Sequence, residues 1–593
     1  MKKIRSKWAI LLPFVLLLSS CNDEFLQRYP LDRISNETFW NSETDLQAYN
    51  NNLYFMASDD GAVPIMLGNS AILHSPLYLD FWSDNLAGTF RTASHQQYLL
   101  LRGQRHQVPV SASGQLFGYR GWNFLRAINI GLANYQRASL PAAVINRYAG
   151  EARLFRGWFY ADKVSKFGDV AWVDKELNVD SPELFADRSP REEVMQHVLA
   201  DLNFATENLP NSWGNGQNPG RMNRWMALLV KSRICLFEGT WRKYHGGTNP
   251  EMWLQEAAKA AQEVIDNGPY RLHSTGNPAR DYNHIHRLID LTNNPEVIYW
   301  RKYAPGVSQN RTQGYHNRAL GGATRDAVED YLCTDGLPIS LSPLYAGDAK
   351  IEDVFVNRDP RLRQTVLHPA DAMAYELQTN VNFPYPVFPG QGNNEIQLTE
   401  TGYHVIKHFN RAMDLLDQNG YMPAIVARYG EVLLNYAEAK AELSTLTQED
   451  LDKTINRLRT RVGMPHLNLS QVPVDPRYAN EGISPLLVEI RRERRIELFG
   501  EGFRYDDLRR WKQGKKLEKP TWGIRWDEAA RARFPQATVT FANDPTRGNI
   551  PYLNAYKGSI IENTIFDENK HYLWPIPLDV IAANTNIRQN PGW

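Results

Sequence analysis

Cysteine is scarce in this sequence: only three of the 593 residues are cysteines. If Cys21 carries a lipid, Cys235 and Cys333 are the only thiols left in the mature chain. Two thiols are too few for a disulfide framework or for a cysteine-based zinc site. Cys235 lies in the apolar stretch 227–237, which predicts a place in the core, and the sequence leaves open whether it pairs with Cys333.

An excess of charge of either sign is also absent. Acidic and basic residues are equally frequent, with 66 of each, and four of the basic residues precede Ser19. Loss of an N-terminal signal therefore leaves a slightly acidic chain, without the basic surface that nucleic-acid binding needs. After the first 18 residues no apolar run approaches the roughly 20 residues of a transmembrane helix, so we expect the remainder to be water-soluble.

The N-terminus has the parts of an export signal that ends at a lipidated cysteine. Four basic residues precede an apolar stretch at 8–18, which is too short to span a bilayer, and Ser19 and Ser20 stand before Cys21. We interpret residues 1–20 as a lipoprotein signal peptide and Cys21 as the lipidation site, which would anchor the chain to a membrane. The alternative is an ordinary secretory cleavage site that has a cysteine nearby.

Helical periodicity dominates the first half of the chain and the region after residue 424. One amphipathic run covers 115–137, and a second begins at Pro141 and ends near Gly168, with the punctuation expected of a helix. Similar pairs occur at 191–209 with 222–237 and at 426–443 with 448–462. The sequence therefore predicts a mainly α fold built from helical hairpins of tetratricopeptide type.

Two long stretches, 268–420 and about 515–570, lack sustained periodicity and are rich in Pro, Gly, Asn and aromatic residues, apart from a strand-like run at 296–303. Long ordered loops on a rigid scaffold are usually functional. We expect the ligand surface in these loops.

A series of short segments, met in order behind the export signal, resembles the SusD/RagB lipoproteins of Bacteroidetes. The segments are GEAR at 150–153, KFGDV at 166–170, DGLPI at 335–339, NRDPRL at 357–362, RYGEVLL at 428–434, AEA at 437–439, ERRIEL at 493–498, DLRRW at 507–511, PIP at 575–577 and NPGW at 590–593. The acidic residues after Cys21 are similar to the tag that sends such lipoproteins to the cell surface. The resemblance runs from Cys21 to Trp593.

The resemblance implies a SusD-like fold with an N-terminal helical region at 21–240 and a C-terminal region with binding loops at 268–593, packed as one body. It also implies a lipid-anchored outer-membrane protein, exposed on the cell surface, that binds glycans and passes them to a SusC-like TonB-dependent transporter. Two alternatives remain open: peptide uptake, as in the RagB branch of the family, and a lid or assembly subunit without affinity of its own.

Catalytic and cofactor motifs are missing. Nucleophile elbows, phosphate loops and zinc-protease motifs do not occur. Glu438 and Glu442 form the most tempting carboxylate pair, but they lie on one face of a single helix, with Lys440 nearby, which favours a solvated or structural role. His273, His284 and His286 could in principle meet at a metal ion. The favoured interpretation is that they are exposed or hydrogen-bonded. We predict a binding protein that is not an enzyme and has no cofactor or metal.

The charged residues of the ERRIEL and DLRRW segments mix both signs, which predicts an internal ion-pair network rather than a phosphate-binding surface. The terminal Trp593 is interpreted as a plug whose ring packs on the body. Neither segment is assigned any chemistry.

A sugar receptor needs aromatic rings for the C–H faces and amide, carboxylate or guanidinium groups for the hydroxyls. Two clusters have this composition, at 78–85 and 303–317. The predicted ligand contacts are Trp82, Asn85, Tyr303, Arg311, Tyr315 and Asn317. Hydrophobic anchoring by Phe81 and Trp82, or pairing of Arg311 with a carboxylate, is the competing interpretation. If both clusters bind one ligand, the two loops should share one face.

Overall fold

The computed structural model describes residues 39–59, 79–88, 108–111, 119–214, 220–310, 320–372, 384–391, 398–414, 416, 419–559 and 561–593. The predicted signal peptide, Cys21, Arg311, Tyr315 and Asn317 lie outside these residues. None of the described helices is long and apolar enough to cross a bilayer.

Helices make up most of the described N-terminal half, as predicted. They are α1 (Glu43–Asp59), α2 (Trp122–Asn134), α3 (Ala142–Phe167), α4 (Arg191–Asn208), α5 (Arg224–His245), α6 (Pro250–Asn267) and α7 (Asp281–His284). The single named strand of this half is β1 (Leu86–Gly88).

The second half alternates shorter helices with short strands. Its helices are α8 (Arg325–Asp330), α9 (Pro360–Thr365), α10 (Arg411–Asp414), α11 (Tyr429–Glu442), α12 (Gln448–Lys453), α13 (Ile455–Arg461), α14 (Pro485–Glu497), α15 (Arg504–Arg510), α16 (Glu528–Arg533) and α17 (Leu578–Ala583). Its strands are β2 (Val297–Arg301), β3 (Leu320–Ala323), β4 (Ala424–Arg428), β5 (Trp522–Arg525), β6 (Phe541–Asp544) and β7 (Ile550–Asn554).

Local sequence explains where the principal helices begin and end. Helix α3 starts after Pro141 and stops at Gly168, whose φ of 73° suits a glycine. Helix α5 begins directly after its N-cap Asn223, whose side chain accepts a hydrogen bond from the Met226 amide. The two boundaries of α3 agree with the signals in the sequence.

The helices pack as antiparallel neighbours, but the tightest partners differ from the predicted ones. Helix α3 packs most extensively against α4, and α5 against α6, whereas the contact of α2 with α3 is smaller. At the α5–α6 crossing a Cβ on Gly239 would lie only 2.8 Å from Leu254 Cγ, so glycine permits the close approach. The predicted pair 191–209 and 222–237 corresponds to α4 and α5. These helices do pack on each other, but less extensively than α4 packs on α3 or α5 on α6.

The loop-rich stretches contribute short antiparallel strands to three small sheets, β1–β3, β2–β4 and β5–β7–β6. Backbone hydrogen bonds connect two of these sheets through residues 401–403. The Ala323 amide donates to the Tyr403 carbonyl at 2.9 Å, and the Ile524 amide donates to the Thr401 carbonyl at 2.8 Å. We call the assembly of β1, β3, residues 399–403 and the β5–β7–β6 sheet the strand platform.

The largest cluster of buried apolar side chains takes members from both halves of the chain, from Trp40 to Ile587. Cys235 and Cys333 are buried, and each is a free thiol. The terminal Trp593 donates from its indole nitrogen to the Leu573 carbonyl at 3.0 Å, and the Lys570 ammonium lies 4.2 Å from its ring centroid. The C-terminus is therefore attached to the body as predicted.

The predicted ion-pair network lies within the second half and centres on α14. Arg361 contacts Glu493 at 2.5 Å and Glu497 at 3.2 Å, and Arg428 contacts Glu497 and Glu296, both at 2.8 Å. All five side chains are almost completely buried. Buried charges persist only when they are paired in this way, so the network joins α9, α14 and the β2–β4 sheet.

Candidate functional site

The first predicted binding cluster lies under the protein surface. The ring of Trp82 is 4% exposed and meets the rings of Tyr505 and Trp574 edge to face, each at a centroid distance of 5.8 Å. Neither face of the ring is open for a sugar to stack on. The prediction of a ligand contact at Trp82 is corrected to the anchoring role that competed with it.

Asn85 is also buried, with 1% of its surface exposed. Its amide oxygen accepts a hydrogen bond from Arg495 Nε at 2.8 Å, and its amide nitrogen donates to Asp80 Oδ2 at 3.2 Å. Its backbone carbonyl accepts from the Thr324 amide at the end of β3. The amide is used for internal contacts, which corrects the prediction that it reads ligand hydroxyls.

Asp84 attaches the same segment to α14 and α15. Arg504 donates to its two carboxylate oxygens at 2.7 and 2.9 Å, and Arg495 approaches at 3.2 Å. Burial alone would raise the pKa of Asp84, but the two guanidinium groups hold it well below its usual range. Residues 79–85, which we call the anchor segment, are therefore held by charges from helices more than 400 positions away in the sequence.

Asp80 behaves differently from Asp84, although both are buried. Its Oδ2 accepts from the Gly500 amide at 2.6 Å, while Oδ1 has no hydrogen-bond partner among the described residues. Burial raises the pKa of Asp80 to about 7, against the opposing effects of Asn85, Gly500 and the nearby Lys407 and Arg504. The anchor segment thus contains one firmly ionised carboxylate and one that titrates near neutral pH.

The anchor segment leads directly into β1. Strand β1 pairs with β3 so that Gly88 lies opposite Leu320. The Gly88 amide donates to the Tyr556 hydroxyl at 2.8 Å, which ties this end of β1 to the chain just after β7. The first cluster ends just before Leu86, which lies opposite Ala323, whereas the second cluster precedes Leu320, so the two clusters join this short pair of strands at opposite ends.

Of the ligand contacts predicted in the second cluster, Tyr303 lies in the described part of the chain. It is 3% exposed, and the Arg301 guanidinium carbon lies 4.9 Å from its ring centroid. This burial corrects the prediction that Tyr303 faces the ligand. The contacts predicted for Arg311, Tyr315 and Asn317 remain proposals, because these residues lie outside the described ranges.

The carboxylates considered for catalysis are both held in ion pairs. Glu438 accepts from Arg510 at 2.5 Å and from the Trp511 indole nitrogen at 2.7 Å. Burial opposes ionisation, but Arg510 and the neighbouring Arg494 and Arg491 lower the pKa of Glu438 to about 2. Glu442 is buried and contacts Arg491 at 2.9 Å. The structural role is confirmed, although both groups are buried rather than solvated.

Within the described ranges, the three histidines considered for a metal site lie beside other histidines. His273 Nε2 lies 2.9 Å from His284 Nδ1, with the two rings stacked, whereas His286 is buried beside His408. The described residues contain no group of three or more His, Cys, Asp or Glu side chains placed to hold a metal ion.

One large depression was not found by sequence reasoning. It has a volume of about 720 Å³ and lies between α2, residues 171–186 and α17. Its walls are mainly apolar and include Trp122, Leu177, Val580 and Ile587. We call it the terminal groove. Trp122, half-exposed at the start of α2, was the available signal, but its spacing only placed it on the apolar face of the amphipathic run 115–137.

Comparison with known proteins places this architecture in a family. The model of the SusD family matches residues 287–593. The chain is 24% identical over its entire length to the SusD-like protein P2 of Formosa agariphila, which is also covered completely.

Solved structures agree with this match. A SusD-like carbohydrate binding protein of Bacteroides fragilis superposes with a TM-score of 0.71 at 22% identity, over 93% of this chain and all of the other. A laminarin binding SusD-like protein superposes with a TM-score of 0.56 at 18% identity, over 93% of this chain and all of the other. These similarities show the shared fold. Because the family model spans more than half of the sequence, the chain belongs to the SusD family.

Proposed function

We propose that this protein is a surface glycan-binding lipoprotein of the outer membrane that passes oligosaccharides to a SusC-like TonB-dependent transporter. The observation that carries the proposal is membership of the SusD family, combined with superposition of almost the whole chain on a SusD-like protein named for carbohydrate binding. A second structural relative is named for binding laminarin, a glycan.

The proposed ligand contacts are Arg311, Tyr315 and Asn317, which supply a ring and two kinds of polar group for a sugar. The ion pairs of the anchor segment support this arrangement, because they fix the chain that enters β1, and β1 pairs with β3. A binding loop with rigidly held ends loses less entropy when a ligand orders it. In this proposal Trp82 and Asn85 contribute to binding through the position of the loops.

Attachment through a lipid on Cys21 supplies the membrane location in this proposal. A lipid chain contributes about 0.8 kcal/mol of membrane affinity per buried CH₂, and stable anchoring takes more than one chain or signal. The body then needs no membrane-spanning element of its own.

Binding proceeds without chemical conversion of the ligand in this proposal. Glu438 and Glu442, the carboxylates best placed in the sequence for acid–base work, are buried in pairs with arginines. A glycosidase needs one carboxylate with a raised pKa, whereas the pKa of Glu438 is lowered to about 2. Incubation of purified protein with the polysaccharide it binds should yield no smaller products.

The test is calorimetric titration of the mature protein against a panel of polysaccharides and, separately, against peptide mixtures. Saturable binding to a polysaccharide and none to peptides is the expected result. Binding to peptides alone would move the protein to the peptide-uptake alternative. If no cargo binds while deletion of the gene still abolishes growth on it, the lid or assembly alternative replaces this proposal.

A further inference from the structure

The terminal groove lies within a larger exposed apolar surface. Leu184, Phe185 and Leu578 at its edge are 44%, 57% and 47% exposed. The edge is well ordered by hydrogen bonds, since the Asn584 amide nitrogen donates to the Ala186 carbonyl at 2.8 Å. Contiguous apolar surface of this kind is usually covered by another part of the chain or by a partner.

The first described residues of the chain lie against the helix that forms one wall of the groove. Trp40 packs on Tyr135 at 5.7 Å, directly after α2, and on Tyr49 at 4.7 Å. The Tyr49 hydroxyl donates to the Ala127 carbonyl within α2 at 2.7 Å. Arg126, the preceding residue, lines the groove. The mature chain therefore enters the body on the helix that borders the groove.

The segment that precedes Phe39 has the length and composition to reach and fill this groove. Residues 22–38 could span up to roughly 55 Å when extended, whereas α2, with 13 residues, is only about 20 Å long. The segment includes five apolar or aromatic side chains, at positions 25, 26, 29, 31 and 34. These are interspersed with polar and charged residues, as in a strand or extended chain that covers an apolar floor.

We propose that residues 22–38, which we call the N-terminal arm, dock in the terminal groove of the same molecule. The apolar side chains of the arm cover Trp122, Val580 and Ile587, and its charged residues face the solvent and the polar rim. This proposal does not depend on glycan binding. Docking would set the distance between the body and residue 21, since the free length of the arm is then much shorter than its extended length.

Limited proteolysis tests the proposal independently of the register in which the arm binds. Trypsin can cut the arm after Arg28 and Arg33, and loss of these pieces is followed by mass spectrometry of the mature chain that carries Cys21→Ala. Docking should slow these cuts at least tenfold relative to a free peptide of the same sequence, because a protease needs its substrate in an accessible, extended form.

Matched variants on α17 identify the groove as the protecting surface. Ala583 lines the groove, whereas the neighbouring Ala582 is exposed and does not. Ala583→Asp should increase the rate of arm cleavage at least several-fold, and Ala582→Asp should leave it unchanged, with equal melting temperatures in both. Cleavage at the free-peptide rate in the unsubstituted chain would overturn the proposal. Equal protection of the arm from trypsin in both variants would also overturn it. A change of oligomeric state in Ala583→Asp alone would do the same, because a second copy of the chain would then be the occupant of the groove.

Discussion

Arg504 holds both carboxylate oxygens of Asp84 from a position 420 residues further along the chain. The two side chains are buried, and Arg495 joins them from α14. This contact fixes the anchor segment to the second half of the molecule before the chain enters β1. The start of β1 therefore depends on a distant part of the sequence for its position.

Replacing Arg504 by glutamine should lower the free energy of unfolding by about 3–5 kcal/mol, because it leaves the buried Asp84 carboxylate with only one cationic partner. Urea denaturation followed by circular dichroism measures the change. Lys515→Gln is the matched control, since Lys515 forms an exposed pair with Glu518 and its loss should have no measurable effect. Equal stabilities of the two variants would contradict a supporting role for Asp84 and Arg504.

Asp80→Asn should change how stability depends on pH. The pKa of Asp80 is about 7 in the folded protein, above its usual value of 3.8. The folded state therefore holds this proton more tightly, and the resulting stability, present below pH 4, is lost as the pH rises through 7. Asparagine does not titrate, so the variant does not undergo this loss of stability. The free energy of unfolding of the variant minus that of the unsubstituted protein should therefore be greater at pH 8 than at pH 5.

The stability of Asp80→Asn should be measured above pH 5. At lower pH, protonation of Glu438 and Glu501 changes the free energy of unfolding in the opposite direction. Their pKa values are lowered to about 2, so the stability they contribute is present above their usual value of 4.5 and is lost as the pH falls toward 2. An identical pH profile for Asp80→Asn and the unsubstituted protein would show that Asp80 does not titrate near neutrality.

Trp82→Ala should reduce stability by about 3–5 kcal/mol, as expected for truncation of a large buried ring. The sequence alone suggested a loss of ligand affinity with the fold intact. Trp522→Ala is the comparison, because that ring is half-exposed on β5 and its loss should cost much less. Thermal unfolding of both variants is the measurement, and a Trp82 variant as stable as the unsubstituted protein would restore the earlier interpretation.

Tyr315→Ala should weaken glycan binding by about one to a few kcal/mol without loss of stability, because a stacked ring supplies contact area to the ligand and none to the core. Calorimetry with the polysaccharide bound by the unsubstituted protein gives the difference. Phe185→Ala serves as the control, since Phe185 is an exposed ring outside both predicted clusters. Equal affinities would place the ligand elsewhere.

Cys21→Ala should release the mature domain from the membrane fraction while its circular dichroism spectrum stays unchanged, because the lipid is the predicted anchor. Fractionation of cells and washing of outer membranes measure the release. Retention of the variant in washed membranes would show a second means of attachment.

Local signals were enough to predict the mainly helical fold and several boundaries, such as Pro141 and Gly168 around α3. They failed where tertiary pairing decides the conformation. Val426 was assigned to a helix, but it lies in β4 because that segment pairs with β2. Periodicity cannot distinguish a short apolar strand from the first turn of the helix that follows it.

The candidate site was harder to predict for a related reason. Trp82 and Asn85 have the composition of a sugar site, and composition does not reveal burial. Their partners Tyr505 and Arg495 lie more than 400 positions away in the sequence, so no local pattern could indicate that the ring and the amide were already satisfied. That the two clusters share one face stays a prediction: β1 and β3 pair, but the clusters join this pair at opposite ends.

The scarcity of cysteine has a practical consequence for a protein proposed to work in an oxidising exterior. Cys235 and Cys333 are buried and unpaired, and burial raises the pKa of the Cys235 thiol well above its usual range. With Cys21 acylated, the molecule would offer no reactive thiolate to its neighbours, so crowding at the cell surface would not cross-link it through disulfides. A single cysteine introduced on the surface would then be a unique point for attaching a fluorophore.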